Sequence, residues 1–312
     1  MKNKHIKLGF ILLFIWCLIS AFSRVLTGSI EQQLDPIYLG FYVSGISSLF
    51  FIIFNMKQLK QLYLKCIAHH KDIIWINITT VGCWLFLLYP LKFVEPSLVS
   101  AVTLAITPIA TIIASRFIYQ KQKSYSYDYT ISTTLLLLAG YLIYISFTGN
   151  TMIKPASTME NFLSVICYFI VGIALAFNNI YAKRLSDANF TPVDTLTVRF
   201  LLLAFLTGFL CLFIRPTMVI SPWLMKDILL AALSLIIIPQ LVYQVAIREL
   251  QPISIAIALP FMPVLVFFLE LFDHLLKPQE YTMAGILAIF LIIITGTVYR
   301  YKREQKKVKE QL

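Results

Sequence analysis

Apolar residues in this chain fall in blocks of roughly 20, about the length of helix that crosses ~30 Å of hydrocarbon. In lipid a backbone must satisfy its own hydrogen bonds, so blocks of this kind are expected to be helices. Read between charged and proline punctuation, ten blocks occupy residues 8–27, 36–54, 73–92, 97–118, 128–148, 162–182, 193–214, 228–247, 253–272 and 281–299. The fold class expected is an all-α membrane protein of ten transmembrane helices. The connections are short, apart from loops at 55–72 and 149–161.

The pattern also repeats. Pro36 and Pro192 are 156 residues apart, as are Pro96 and Pro252, Lys92 and Arg248, and Gly140 and Gly296; Pro108 and Pro263 differ by 155. Asp35-Pro36 and Thr191-Pro192 each read as an N-cap followed by proline at the first helical position. Asp194, three residues after Thr191, would close a capping box. Five spans per half is an odd number, so two related halves must lie inverted in the membrane, a recurring construction of secondary transporters. The halves expected are residues 1–150 and 157–302, with a basic tail at 303–312.

Composition supports the membrane assignment. Of 312 residues, 59% are hydrophobic and 13% charged, against about half and a quarter in soluble domains. The net charge of +11 could suggest nucleic acid, but Lys and Arg sit in short loops beside apolar spans. With the N-terminus inside, one set of loops carries 18 Lys and Arg and the other 5 (Lys92, Lys154, Arg215, Lys226 and Lys277). The positive-inside bias then puts both termini in the cytoplasm of a cell whose inner membrane the chain spans. The five cysteines are scattered without a CxxC pair, which indicates neither a disulfide framework nor a metal site. Residues 1–20 look like a signal peptide but lack a small-x-small cleavage site, so an uncleaved first helix is expected.

The stretches Leu91-Lys92-Phe93-Val94-Glu95-Pro96-Ser97 to Ala105-Ile106-Thr107-Pro108 and Ala246-Ile247-Arg248-Glu249-Leu250-Gln251-Pro252 to Pro260-Phe261-Met262-Pro263 share one form. Both resemble the joint between the third and fourth spans of each half in the EamA-like family of the drug/metabolite transporter superfamily. Trp16 with Arg24, and Pro192 with Arg199-Phe200, resemble further motifs of that family. Cys17 stands where the family favours glycine, and Gln120-Lys121 replaces its Gly-Glu. The resemblance covers nearly the whole chain. It implies ten helices in two EamA-like repeats and transport of a small molecule, with export commoner than uptake.

Charged or strongly polar groups inside spans are default functional candidates. Arg24, Arg199 and Glu270 are candidates for gating or ion pairing, or else reach headgroups and interfacial water; Arg116 is expected to snorkel. Span 4 carries Ser100, Thr103, Thr107, Thr111 and Ser115 on one helical face, as cavity lining or as close packing with hydroxyls bonded to their own backbone. In span 8, Pro239 frees a carbonyl, and Gln240, Tyr243 and Gln244 present polar groups on one face beside it, giving the leading substrate contacts. Trp16 and Trp84 add aromatic surface, and Asn178 a polar group, to the same candidate set. Pro90, Pro108, Pro260 and Pro263 join Pro239 as helix-break positions, with span 9 expected to be discontinuous.

No Asp or Glu falls near the middle of a span, and no GxxxxGK[ST] loop exists, so neither a midplane proton carrier nor ATP hydrolysis is indicated. The expected function is a secondary carrier or exchanger of a small neutral or zwitterionic metabolite, such as an amino acid, needing no cofactor. An importer of a metabolite or nucleoside-like compound is the alternative. The four histidines (His5, His69, His70 and His274) lie outside the spans and form no catalytic cluster, and the short loops hold no output domain. A membrane-embedded enzyme or a sensor is therefore disfavoured. Substrate and bilayer are the expected partners, and nucleic acid is not.

Overall fold

The computed structural model describes residues 2–31, 35–92, 94–119, 124–148, 157–213, 222–272 and 280–310, and every regular element among them is helical. Lys121, Lys123, Lys154, Arg215 and Lys277, used in the charge count, lie outside these residues.

The chain opens with α1 (Lys2–Glu31) and α2 (Pro36–Phe54), then a short α3 (Leu59–Ala68) and α4 (His70–Leu88). Next come α5 (Pro96–Ile118), α6 (Ser126–Phe147) and α7 (Thr158–Asp187). The remainder is α8 (Pro192–Arg199), α9 (Leu201–Cys211), α10 (Pro222–Ala231), α11 (Ile238–Glu249), α12 (Pro252–Ala258), α13 (Phe261–Glu270) and α14 (Glu280–Glu310). Among the described residues nine segments are long and apolar enough to cross a membrane, with α8–α9, α10–α11 and α12–α13 each counting as one. The 19-residue α4 is about 28 Å long at 1.5 Å per residue but begins His70-Lys71-Asp72, so its mean apolarity is lower.

Local sequence explains the boundaries. Asp35 accepts from Ile37 N at 2.9 Å and Pro36 follows at the first helical position. Thr191 and Asp194 form the expected capping box, with both bonds at 3.0 Å. Glu95-Pro96 and Gln251-Pro252 open α5 and α12 with proline in the same place but without a side-chain cap bond. Pro90, one residue past Tyr89, ends α4 and leads into a single 3-10 turn. Pro108, by contrast, lies inside the unbroken α5.

Besides Pro108, which breaks no helix, four features depart from or add to the expected spans. The 55–72 loop contains α3, whose Leu62 is buried against the protein while Lys57 and Lys60 remain exposed. The seventh span is not one helix, because it breaks at Phe200 between α8 and α9. The eighth contains a π-helical turn over Ala232–Ile237 immediately before Pro239, where a wider turn absorbs the strain that proline imposes on the preceding backbone. The basic segment from residue 303 continues α14 as helix to Glu310. The expected discontinuity of the ninth span is present, at Leu259–Pro260.

Helix ends gather on two faces. On one, His5 meets Glu249 at 2.9 Å, Arg184 meets Asp72 at 3.1 Å, Lys65 meets Asp194 at 3.1 Å and Arg300 meets Asp128 at 2.8 Å. Phe10 packs edge-on against Tyr301 on that face, so the N-terminal helix starts where the C-terminal one ends. The opposite face brings Tyr38 to the Cys211 carbonyl and Thr282 to Glu95. Between the faces, α5 is the most enclosed helix, packed among α6, α7, α12 and α13. Large apolar side chains such as Phe205, Leu137 and Ile53 point outward, the arrangement a lipid surface requires.

Candidate functional site

The polar interior lies where α1, α4, α7, α8 and α11 meet. It is organised by the break at Phe200. In an unbroken helix Leu202 N would donate to the Val198 carbonyl. Here the Asn77 side chain of α4 stands between them: its Nδ2 donates to Val198 O at 2.9 Å, and its Oδ1 accepts from Leu202 N at 3.2 Å. One inserted amide thus replaces one missing backbone bond. Trp84 packs edge-on against Phe200 at the same level, with ring centroids 6.4 Å apart.

Arg199 is the last residue before the break, about 12 Å along the helix from its Thr191 cap. It is 2% exposed. Its Nε donates to Thr80 Oγ1 at 3.3 Å, and Nη1 has no hydrogen-bond partner. None of the described carboxylates is within ion-pair range of it. Thr80 also accepts from Asn178 Nδ2 at 2.9 Å and donates to the Ile76 carbonyl at 2.7 Å, so its hydroxyl is fully used. Next to Asn178, Asn179 accepts from the Tyr243 hydroxyl at 2.7 Å. The Tyr243 ring stacks on Trp16 at 4.5 Å. Gln240 and Gln244 are both buried, as neighbours of Tyr243 on α11.

These groups are closed off from water yet incompletely bonded. Trp16 Nε1, Asn179 Nδ2 and Arg199 Nη1 are donors without partners, and Asn178, Gln240 and Gln244 each have an acceptor oxygen in the same condition. Buried polar groups normally find partners, and leaving several unmet in one place is costly. A set of matching donors and acceptors is suited to a small polar molecule and confers no evident structural benefit.

The structure therefore brings Trp16, Asn178 and Tyr243 together with Arg199, while Gln240 and Gln244 are buried beside Tyr243 along α11. Trp84 stands at the rim, against the helix break. Thr103 and Thr107 are placed differently: both are buried in α5, with hydroxyls donating to Val99 O and Thr103 O of their own helix at 2.8 and 3.1 Å. A Cβ on Gly172 of α7 would come within 2.8 Å of Thr103 O and Ile106, which shows how closely the two helices approach there. Arg24 lies in α1, but its side chain is outside the described residues. Arg116 extends to the surface beside the Tyr129 hydroxyl.

Glu270 does not reach water. It is 2% exposed and accepts from Ser97 N at 3.0 Å. Nearby Glu95, overlooked because it stands in a short connection, is fully buried and accepts from Thr282 Oγ1 at 3.0 Å. Burial pushes its carboxyl up to about 7, only partly offset by the Thr282 bond. Asn77 and Thr80 were missed as well; a polar Asn and paired Thr within the apolar run Ile73–Val81 were the available signal. A separate groove of about 240 Å³ between α1, α12, α13 and α14 is lined by residues such as Phe14, Phe261 and Ile294, and has no charged group.

Residues 162–296 match the model of the EamA-like transporter family, within the drug/metabolite transporter superfamily. The second half of the chain is EamA-like. This half supplies α7, α8 and α11, and hence Asn178, Asn179, Arg199, Gln240, Tyr243 and Gln244. No curated protein matches the chain. A solved crystal structure, whose description names no function, superposes with a TM-score of 0.68, covering 96% of this chain and 98% of that one. Identity is 11%, so the likeness is one of fold. The fold shared with that structure extends through the first half as well as the EamA-like half.

Proposed function

We propose that the protein is a secondary transporter of a small organic metabolite, working by alternating access between two inverted five-helix halves with α4 as the tenth crossing. One observation carries the reading: the incompletely bonded polar cluster is buried between the two faces, where α1 and α4 of the first half meet α7, α8 and α11 of the second. Polar groups this deep in a membrane protein mark substrate pathways. The broken helix at Phe200, the π turn before Pro239 and the break at Leu259–Pro260 place non-helical backbone in the interior, as discontinuous helices do around transporter sites.

The two faces supply the gates. Ion pairs close the face carrying the termini, and the Glu95–Thr282 and Glu270–Ser97 bonds close the other. The charge distribution favours a cytoplasmic position for the terminal face, in the inner membrane. Matched donors and acceptors suit an uncharged or zwitterionic amphipathic metabolite such as an amino acid, and the family's habits favour export.

The test is uptake of a metabolite panel into liposomes carrying the purified protein. Saturable flux of at least one small polar metabolite is expected, absent from protein-free liposomes. Absence of protein-dependent flux for every member would refute the reading.

A further inference from the structure

We propose that Arg199 is an anion receptor, and that the transported molecule bears a carboxylate which pairs with its guanidinium. The inference rests on the carrier reading and revises its substrate: a carboxylate makes the molecule a zwitterion or a monoanion and excludes an uncharged one.

A guanidinium stays charged in proteins. An ion held away from water is stable only when paired and hydrogen-bonded. Four of the five other arginines with described side chains show what pairing looks like here: Arg184 meets Asp72, Arg300 meets Asp128, and Arg116 and Arg303 reach tyrosine hydroxyls. Arg199 is nearly as buried as Arg300 but has no carboxylate beside it among the described residues. Its bond partner, Thr80, is neutral, and the Phe200 ring lies 5.6 Å from its guanidinium carbon.

The position has the form of a receptor. Asn77 fixes the backbone on both sides of the break that Arg199 borders, and Thr80 holds Nε, which leaves Nη1 uncommitted. Arginine with one nitrogen anchored is suited to charge-assisted bonding of a carboxylate. A single fixed cation matches a single negative charge, which favours a carboxylate over a phosphate dianion. Asn179 Nδ2 adds a neutral donor, while the oxygens of Asn178, Gln240 and Gln244 can accept from a hydroxyl or ammonium on the same molecule. The set therefore fits a small hydroxy or amino acid. An anionic lipid is a poorer occupant, because Arg199 is enclosed by α4, α8 and α11 and is not at a lipid-facing surface.

The test uses purified full-length protein and thermal-shift and calorimetric binding with lactate, alanine and phenylalanine, each beside its primary amide. At least one acid should bind while its amide binds at least about tenfold more weakly, the loss expected when a charge-assisted partner goes. Arg199→Gln should abolish that preference and Arg199→Lys should keep part of it. Equal binding of acid and amide, or no binding of any acid, would overturn the proposal; neither comparison needs a variant to fold. A shift caused by phosphatidylglycerol alone and lost in Arg199→Gln would also overturn it, assigning the cation to lipid. Acid binding without flux in liposomes would instead refute the carrier reading and leave the receptor intact.

Discussion

Asn77 of α4 donates to the Val198 carbonyl of α8 at 2.9 Å, and its oxygen takes up the Leu202 amide that a continuous helix would have directed to that same carbonyl. The helix break is thus written into a side chain on a neighbouring helix. It sets the backbone from which Arg199 projects beside Thr80.

Replacing Asn77 with Leu should leave Val198 O and Leu202 N buried without partners, at a cost of about 1–3 kcal/mol each. The thermal unfolding midpoint in detergent should fall by several degrees, and flux should fall further than protein abundance because Arg199 loses its support. An unchanged midpoint would mean that the break closes without the amide.

The stacked Trp16 and Tyr243 rings join the two halves. Tyr243→Phe keeps the stack and removes the donor to Asn179, while Gln240→Ala removes an oxygen that has no protein partner. Both should lower flux without lowering membrane abundance. Tyr243→Phe should also cost about 1–3 kcal/mol, because Asn179 Oδ1 loses its bond, whereas Gln240→Ala should be nearly neutral for stability. Unchanged flux in both variants would remove α11 from the substrate path.

Glu95 gives a pH prediction. Its folded carboxyl titrates near 7 against 4.5 ordinarily. Below 4.5 both folded and unfolded forms hold the proton. Between 4.5 and 7 the unfolded chain releases it while the folded protein keeps it, so stability should fall as pH rises through that window and stop falling above it. The full effect is about 3 kcal/mol. Tyr168, whose buried hydroxyl interacts electrostatically with this carboxyl, and Thr282 face the same site. Unfolding midpoints measured from pH 4 to 8 should show the slope in the parent protein and lose it in Glu95→Gln; an identical slope in both would contradict the assignment.

The helical class, nearly all element positions, the caps at Asp35 and Thr191 and the break in span 9 were legible in the sequence, because each depends on local pattern. What was illegible depended on partners distant in the chain. Nothing near Phe200 announces a helix break, since its cause is Asn77, more than a hundred residues earlier. Glu95 passed as part of a connecting stretch because Thr282 and Tyr168, which face it, come from other helices. Thr103 and Thr107 made a polar stripe on paper, yet in space they lie against α7 at Gly172. The aromatic and amide pattern of Gln240, Tyr243 and Trp16 was readable, but that no described carboxylate stands beside Arg199 appears only in three dimensions.

Alternating access requires the terminal face to open. His5 of α1 and Glu249 of α11 come within 2.9 Å of each other across the two halves there, and both are at least partly accessible. The most direct measurement is flux through liposomes containing His5→Cys/Glu249→Cys protein, its pair joined by a disulfide-containing bis-maleimide that spans the two positions and then cleaved with reductant. Alternating access predicts that the link stops flux and that reductant restores it, with each single substitution (His5→Cys or Glu249→Cys alone) insensitive to both. Flux that continues at full rate with the halves locked together would contradict it.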